Sequence, residues 1–193
     1  MIFLFFIPVV TSCIPTQQIE TTTTPTTTTT TTMTTTTTTE MPCPTDWEKF
    51  ERPSGPWCVK LFVGLYLQGN RNEASARCAT EGAVLSGVQN KAELNAMISQ
   101  FTRLGNGYFW VGAMRKTSCL MSQLTATCTA LNSFEWTDGS TTGTDGFIWK
   151  AGDPNNYQYN LYDEPCVAAD VNLMEDIACT RTDVTGYACG KPL

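Results

Sequence analysis

Apolar and polar positions fall into blocks whose period changes along the chain. Cys58-Val59-Lys60-Leu61-Phe62-Val63-Gly64-Leu65-Tyr66-Leu67 is rich in β-branched and aromatic residues and ends at Gly69-Asn70, which predicts a strand. Asn70 then opens a helix. Glu73 three residues later completes a capping box, Ala74 and Cys78 share one face, and Gly82 supplies a left-handed terminator. The same grammar repeats at Asn90 with Glu93, where Leu94, Met97, Ile98 and Phe101 form an apolar stripe closed by Gly105. Tyr108-Phe109-Trp110-Val111-Gly112-Ala113 and Phe134-Glu135-Trp136 read as short strands, the second ending in the turn Thr137-Asp138-Gly139-Ser140. A long stretch with little regular pattern follows. Strand signals return at Cys166-Val167-Ala168-Ala169 and near Gly186-Tyr187-Ala188-Cys189.

The front of the chain has a different pattern. Met1 to Val10 is apolar apart from Pro8 and is followed by Thr11, Ser12 and Cys13, which reads as a secretory signal peptide over residues 1–13. The run is shorter than the ~20 residues a bilayer span needs, and no later segment is long and apolar enough, so no membrane span is expected. Thr21 to Thr39 is threonine except for Pro25 and Met33. Such a tract cannot bury enough apolar surface to offset its ordering entropy, and its composition is that of an O-glycosylated, mucin-like stalk, assigned to residues 14–42. Val10-Thr11-Ser12-Cys13 also loosely resembles a bacterial lipoprotein cleavage box, a reading that the mucin-like tract behind it disfavours. A secreted, extracellular protein with one domain over residues 43–193 is expected.

Composition narrows the chemistry. The chain has 193 residues, 12 Lys plus Arg against 18 Asp plus Glu, a net charge of -6 and no histidine. Without His there is no Ser-His-Asp or Cys-His nucleophile, no HExxH zinc site and no imidazole acid-base pair. The acidic balance disfavours nucleic acid. Eight of the nine Cys lie after Met41, an even number that in a secreted chain implies disulfides while leaving their connectivity open. Zinc is the rival use of cysteine, but there is no CxxC pair and the gaps are irregular.

Residues 151–180 contain Asp153, Asp163, Glu164, Asp170, Glu175 and Asp176 with no Lys or Arg. Gathered in one loop, these acids would repel one another unless a cation sat among them, and calcium, which takes ~6–8 oxygen ligands, suits the set. Equally, they are compatible with solvated positions on separate faces, with Asp153-Pro154-Asn155-Asn156 only a turn.

The order of several motifs resembles the C-type lectin-like domain family, over essentially all of residues 43–190. The resemblance rests on Cys43 with Trp47, Cys78 followed by Gly82-Ala83-Val84-Leu85, Trp110-Val111-Gly112, and Phe134-Glu135-Trp136-Thr137-Asp138-Gly139. It continues through Trp149-Lys150-Ala151-Gly152-Asp153-Pro154-Asn155-Asn156 to Cys166, Cys179 and Cys189. It implies an α+β fold with two helices, small antiparallel sheets and a long irregular binding loop. It also implies bridges Cys43 to Cys58, Cys78 to Cys189 and Cys166 to Cys179, leaving Cys119 and Cys128 as an additional local pair. Trp47, Trp110, Trp136 and Trp149 are read as core.

By the same resemblance, calcium and sugar would be held by Asp153, Asn155, Glu164, Glu175 and Asp176, with a cis peptide before Pro154. Three positions depart from the family's sugar-binding pattern: Asp153 stands where Glu is usual, Glu175 where Asn is usual, and Met174 where Trp is usual. In such sites an acid and an amide serve each sugar hydroxyl together. Asn155 with Asp153 keeps one such pair, whereas Glu175 with Glu164 offers acceptors and no donor, because a carboxylate cannot donate. The leading expectation is therefore a calcium-dependent carbohydrate-binding module for mannose-like sugars on a carbohydrate or glycoprotein partner in innate recognition. The alternative is a lectin-like domain without sugar binding that acts in protein-protein interaction, which Met174 and Glu175 favour. An enzyme is the least favoured class. Tyr157, Tyr159 and Tyr162 are candidate sugar-stacking platforms or partly buried aromatics, and the threonine tract has no heptads to set an oligomeric state.

Overall fold

Charged residues alternating with one aromatic, Glu48-Lys49-Phe50-Glu51-Arg52, form the first strand, β1 (Glu48–Arg52), in the computed structural model of the chain. The structure describes residues 41–120, 123–157 and 163–193. The expected signal peptide, nearly all of the stalk, Tyr159 and Tyr162 lie outside the described residues. β1 escapes a pattern search because it is an edge strand, paired on one side only with β2 (Gly55–Val63). β2 starts and stops earlier than the apolar run suggests. Its pairing with β8 (Gly186–Pro192) ends at Val63 opposite Gly186, and Leu65–Leu67, with no ladder to join, closes into a single 3-10 turn.

Helix α1 (Arg71–Thr80) follows with both halves of the capping box made between Asn70 and Glu73 and with Ala74 and Cys78 buried. Gly82 takes the left-handed conformation, φ 63°, just past its end. After the short strand β3 (Val84–Leu85), helix α2 (Lys91–Leu104) buries Leu94, Met97 and Phe101. Its cap is only half a box. Asn90 accepts the Glu93 amide, but the Glu93 carboxylate turns inward to Arg52.

The remaining strands are β4 (Phe109–Arg115), β5 (Phe134–Trp136), β6 (Cys166–Asp170) and β7 (Leu173–Ile177). The hydrogen-bonded order is β1-β2-β8-β4-β6-β7, with β3 beside β8 and β5 beside β4. Every pairing is antiparallel except β4 with β8, and that one parallel step joins the small antiparallel sheets of the α+β fold. Alternation along β4 sends Phe109, Val111 and Ala113 into the core under α2 and Trp110 into a second core with α1 and β8. Gly112 between them has a steric cause: its amide donates to Ser86 O at 2.7 Å, and a Cβ there would stand 2.1 Å from Leu85 O. Trp110 is fully buried with its indole N–H on Gly69 O, while Trp47, Trp136 and Trp149 are partly buried against the cores.

Four disulfides join Cys43 to Cys58, Cys78 to Cys189, Cys119 to Cys128 and Cys166 to Cys179, which are the three pairs that the family resemblance implies and the local pair it leaves over. Cys78–Cys189 ties α1 to β8 across 111 residues, a loop length whose closure in the unfolded chain is worth on the order of 4–5 kcal/mol.

The side chains of Arg52, Glu93 and Asp138 are 0%, 2% and 0% exposed. The guanidinium of Arg52 pairs with Glu93, donates to Asp138 Oδ2 at 2.9 Å and reaches Gly87 O and Ser86 Oγ. Burial raises the pKa of Glu93 in spite of Arg52. Burial would raise that of Asp138 too, but hydrogen bonds from Thr141, Ser140 and Gly87 hold it below the ordinary value. One guanidinium thus fastens β1, α2 and the turn after β5. Arg52→Met leaves two carboxylates buried without their cation, and removing one partner of a buried pair costs ~3–5 kcal/mol. At ~2–4 °C per kcal/mol for a domain of this size, the thermal midpoint should fall by on the order of 10 °C. Glu51→Ala, which breaks only an exposed pair on the same strand, should cost no more than ~1 kcal/mol, read by the same thermal melts.

Candidate functional site

The acidic residues are brought together by backbone pairing around β7. Residues 148–150 run beside it, with Met174 N donating to Ile148 O at 3.0 Å and Lys150 N to Met174 O at 2.9 Å. Met174 is therefore core, fully buried and bonded on both sides of its backbone, and is not part of an exposed ligand face. Gly152, at φ 97°, lets the chain turn back, and the Asp153–Pro154 peptide is cis. The turn then lands on Asp176: Oδ1 accepts Asn155 N at 2.9 Å and Oδ2 accepts Asn156 N at 2.7 Å. Asn156, 1% exposed, passes the constraint across the loop, because its Oδ1 accepts Glu164 N at 3.0 Å while Tyr157 N donates to Glu164 Oε2 at 2.7 Å. Asp153, Asn155 and Glu164 are left at the lip. The Asn155 amide donates to Asp153 Oδ1 at 2.6 Å, so the acid and amide of that pair are in contact.

The acids are not without cations, and this corrects the reading of residues 151–180 as an uncompensated set. Glu175 is bonded to Lys150, stands 3.7 Å from Arg181 and accepts the Tyr108 hydroxyl at 3.2 Å. Lys150 and Arg181 sit one residue outside either end of that window. Asp176 is paired with Arg115 from the end of β4, both side chains being buried. Alternation along β7 turns Glu175 and Asp176 to opposite faces, which explains their separate partners.

Of the five expected ligands, Asp153, Asn155 and Glu164 share the lip, Asp176 lies beneath it as the acceptor that holds the loop, and Glu175 is engaged elsewhere. Among the described residues neither Asp153 nor Glu164 forms an ion pair. Burial, joined by the charges of Asp176 and Glu175, raises Asp153 to about 6. Burial, again with the neighbouring carboxylates, raises Glu164 to about 7 although Tyr157 N donates to it. Two carboxylates and an amide oxygen are hard donors suited to calcium. The donor set thus fits that ion at three of the five positions. For the other two to join, Glu175 would have to leave Lys150 and Arg181, and Asp176 would have to leave Arg115. Among the described residues no group of three or more Asp, Glu, His or Cys side chains is already gathered as a metal centre.

Sequence reasoning missed Arg115, Lys150, Arg181, Tyr108 and Asn156. A signal existed for the first. In Phe109-Trp110-Val111-Gly112-Ala113-Met114-Arg115 the apolar alternation ends on a charge at an inward position, and a buried charge demands a partner.

The raised carboxylates predict a pH dependence. Without calcium the folded state takes up protons on Asp153 and Glu164 more readily than the unfolded chain does. Their contribution to stability is therefore present at lower pH and is lost as pH rises through about 6 and 7. In chelator the thermal midpoint should fall between pH 5 and about pH 7.5, and Asp153→Asn with Glu164→Gln should flatten that slope. An unchanged slope in the double variant would show that these two groups are not its source.

The profile of the family described as C-type lectin domain-containing protein 141/158 matches residues 42–191. Mouse chondrolectin is 32% identical over 92 residues, which span 43% of this chain and 32% of that protein, so about a third of the relative's length is matched. The C-type lectin domain of murine dendritic cell inhibitory receptor 2, solved in complex with an N-glycan, superposes with a TM-score of 0.56 at 20% identity, covering 79% of this chain and 100% of that one. A calcium-independent type II antifreeze protein superposes at 0.53 and 19% identity, covering 78% of this chain and 94% of that one. At such identities the superpositions speak for the fold alone. The profile covers most of the sequence, and with the four disulfides and the eight-stranded arrangement around two helices it leads to one assignment: the chain belongs to the C-type lectin domain family.

Proposed function

We propose that this domain is an extracellular carbohydrate-binding module whose ligand face is the lip formed by Asp153, Asn155 and Glu164, with calcium as its cofactor. The observation that supports the reading is the presence on one loop of two carboxylates that form no ion pair among the described residues and of an amide that contacts one of them. Calcium there would supply a positive centre for vicinal sugar hydroxyls. The chain's own residues would supply acceptors from Asp153 and Glu164 and a donor from Asn155. Tyr157, 59% exposed and joined through its amide to Glu164, adds a ring beside the lip. The role is one of binding, as is general for this family, and the four disulfides are compatible with an extracellular setting. Among the described residues no helix is long and apolar enough to cross a membrane.

A second reading, recognition of a protein ligand without sugar, is favoured by the engagement of Glu175 with Lys150, Arg181 and Tyr108. That contact removes one of the two positions where an acid and an amide would serve a second hydroxyl.

Thermal melts in millimolar calcium and in chelator at neutral pH test the proposal. A ligand at 100 times its dissociation constant stabilises by ~2.7 kcal/mol, so a rise of several degrees is expected, and Glu164→Gln should remove most of it. In the same buffers the domain should be retained on immobilised mannose-type sugar and released by chelator. Glu175→Asn should increase retention by supplying the missing donor. Absence of both the thermal shift and the retention would overturn the carbohydrate reading in favour of the protein ligand.

A further inference from the structure

We propose that Arg115 is the positioning residue of the ligand loop, an internal cation that holds both arms of the lip in place before any ion or sugar arrives. The inference concerns the loop of the proposed site and rests on that reading for its functional meaning alone.

The geometry is that of a clamp. Arg115 ends β4, where it pairs with Phe134 of β5, and its side chain is 1% exposed. Its amide donates to Pro165 O at 2.7 Å and its Nε to Glu164 O at 3.3 Å, which fixes the arm carrying Glu164. Its Nη2 donates to Asp176 Oδ2, and Asp176 in turn accepts the amides of Asn155 and Asn156, which fixes the arm carrying Asp153 and Asn155. The guanidinium carbon lies 4.5 Å from the centroid of Phe134, so one face of the group is covered by a ring. Nη1 is buried and has no hydrogen-bond partner among the described residues.

The charge is as necessary as the shape. Asp176 has no exposed side-chain surface, and a carboxylate so placed is tolerated only with a cation and hydrogen bonds to both oxygens. Asn155 and Asn156 supply the hydrogen bonds and Arg115 supplies the charge. A lysine would carry the charge without the fork, and could not reach Asp176 and the Glu164 carbonyl at once. The two arms carrying Asn155, Asn156 and Glu164 are therefore held by the chain itself, and calcium is left to act in ligand capture.

Hydrogen exchange of the oxidised full chain in excess chelator at neutral pH tests this, with neither calcium nor sugar present. In the wild type the amides of Asn155, Asn156, Tyr157 and Glu164 should be protected. In Arg115→Met their exchange should accelerate by on the order of 100-fold, the scale set by breaking a buried pair, while the amides of Leu94, Met97 and Phe101 in α2 keep their rates. Arg115→Lys should give intermediate protection at Asn155 and Asn156 and lose it at Glu164. That comparison carries the test if Arg115→Met does not fold, because a general loss of stability would move α2 as well. Unprotected loop amides in the wild type, or unchanged loop amides in both variants, would overturn the inference. A wild type that never binds calcium defeats the proposed function and leaves this result standing.

Discussion

A buried guanidinium paired with buried carboxylate is the interaction on which this structure turns, and among the described residues it occurs twice. Charges that lose water must recover their solvation from each other and from fixed dipoles, which confines the surrounding chain to the few geometries that provide them. Arg52 imposes this on the scaffold, locking an edge strand, the first turn of α2 and the turn after β5 into one arrangement. Arg115 imposes it on the half that carries the proposed lip, where Asp176 has no exposed side-chain surface and takes hydrogen bonds from the two asparagines that follow Pro154. The apolar cores hold the strands and helices together, while the turn after β5 and the segment that follows Pro154, which have no ladder of their own, are tied down by these two ionic knots.

The lip gains its character from the acids that the knots leave over. Asp176 is paired with Arg115 and Glu175 with Lys150 and Arg181, whereas Asp153 and Glu164 form no ion pair among the described residues and Asn155 contacts Asp153. As a proposed ion site the lip offers three of the five oxygen-bearing positions, from segments tied to Asp176 and Arg115. Preorganisation of this kind lowers the ordering cost of binding.

The sequence disclosed what depends on local periodicity and on spacing. The stripe Leu94, Met97, Phe101 is the buried face of α2, and the capping residues Asn70 and Asn90 sit where their side chains accept the N3 amides, whereas the disulfide pairs, which cysteine count leaves open, came from the family resemblance. It concealed what depends on distant partners. β1 carries mostly charged residues and is a strand only because β2 lies beside it. Glu93 reads as half of a capping box and is instead committed to Arg52, 41 residues away. Lys150 and Arg181 bracket the acidic segment just outside its ends, and Arg115 comes from a strand 61 residues before its partner, so charge counted within a window misjudged the balance. Local rules place side chains on faces, and tertiary pairing decides which charges meet.

The position of β8 bears on how the domain is assembled in time. Of the eight strands this one comes last in the sequence, yet it lies between β2 and β4 and also pairs with β3. Until it leaves the ribosome, β2 has only β1 beside it and the edge of β4 that β8 will occupy is open. Between the synthesis of β4 and that of β8 the nascent chain therefore has these strand edges unpaired by β8, the condition under which strands recruit one another between molecules. The C-terminal strand closes both edges together, and Cys189 within it then meets Cys78, so the longest crosslink records that the sheet has been completed.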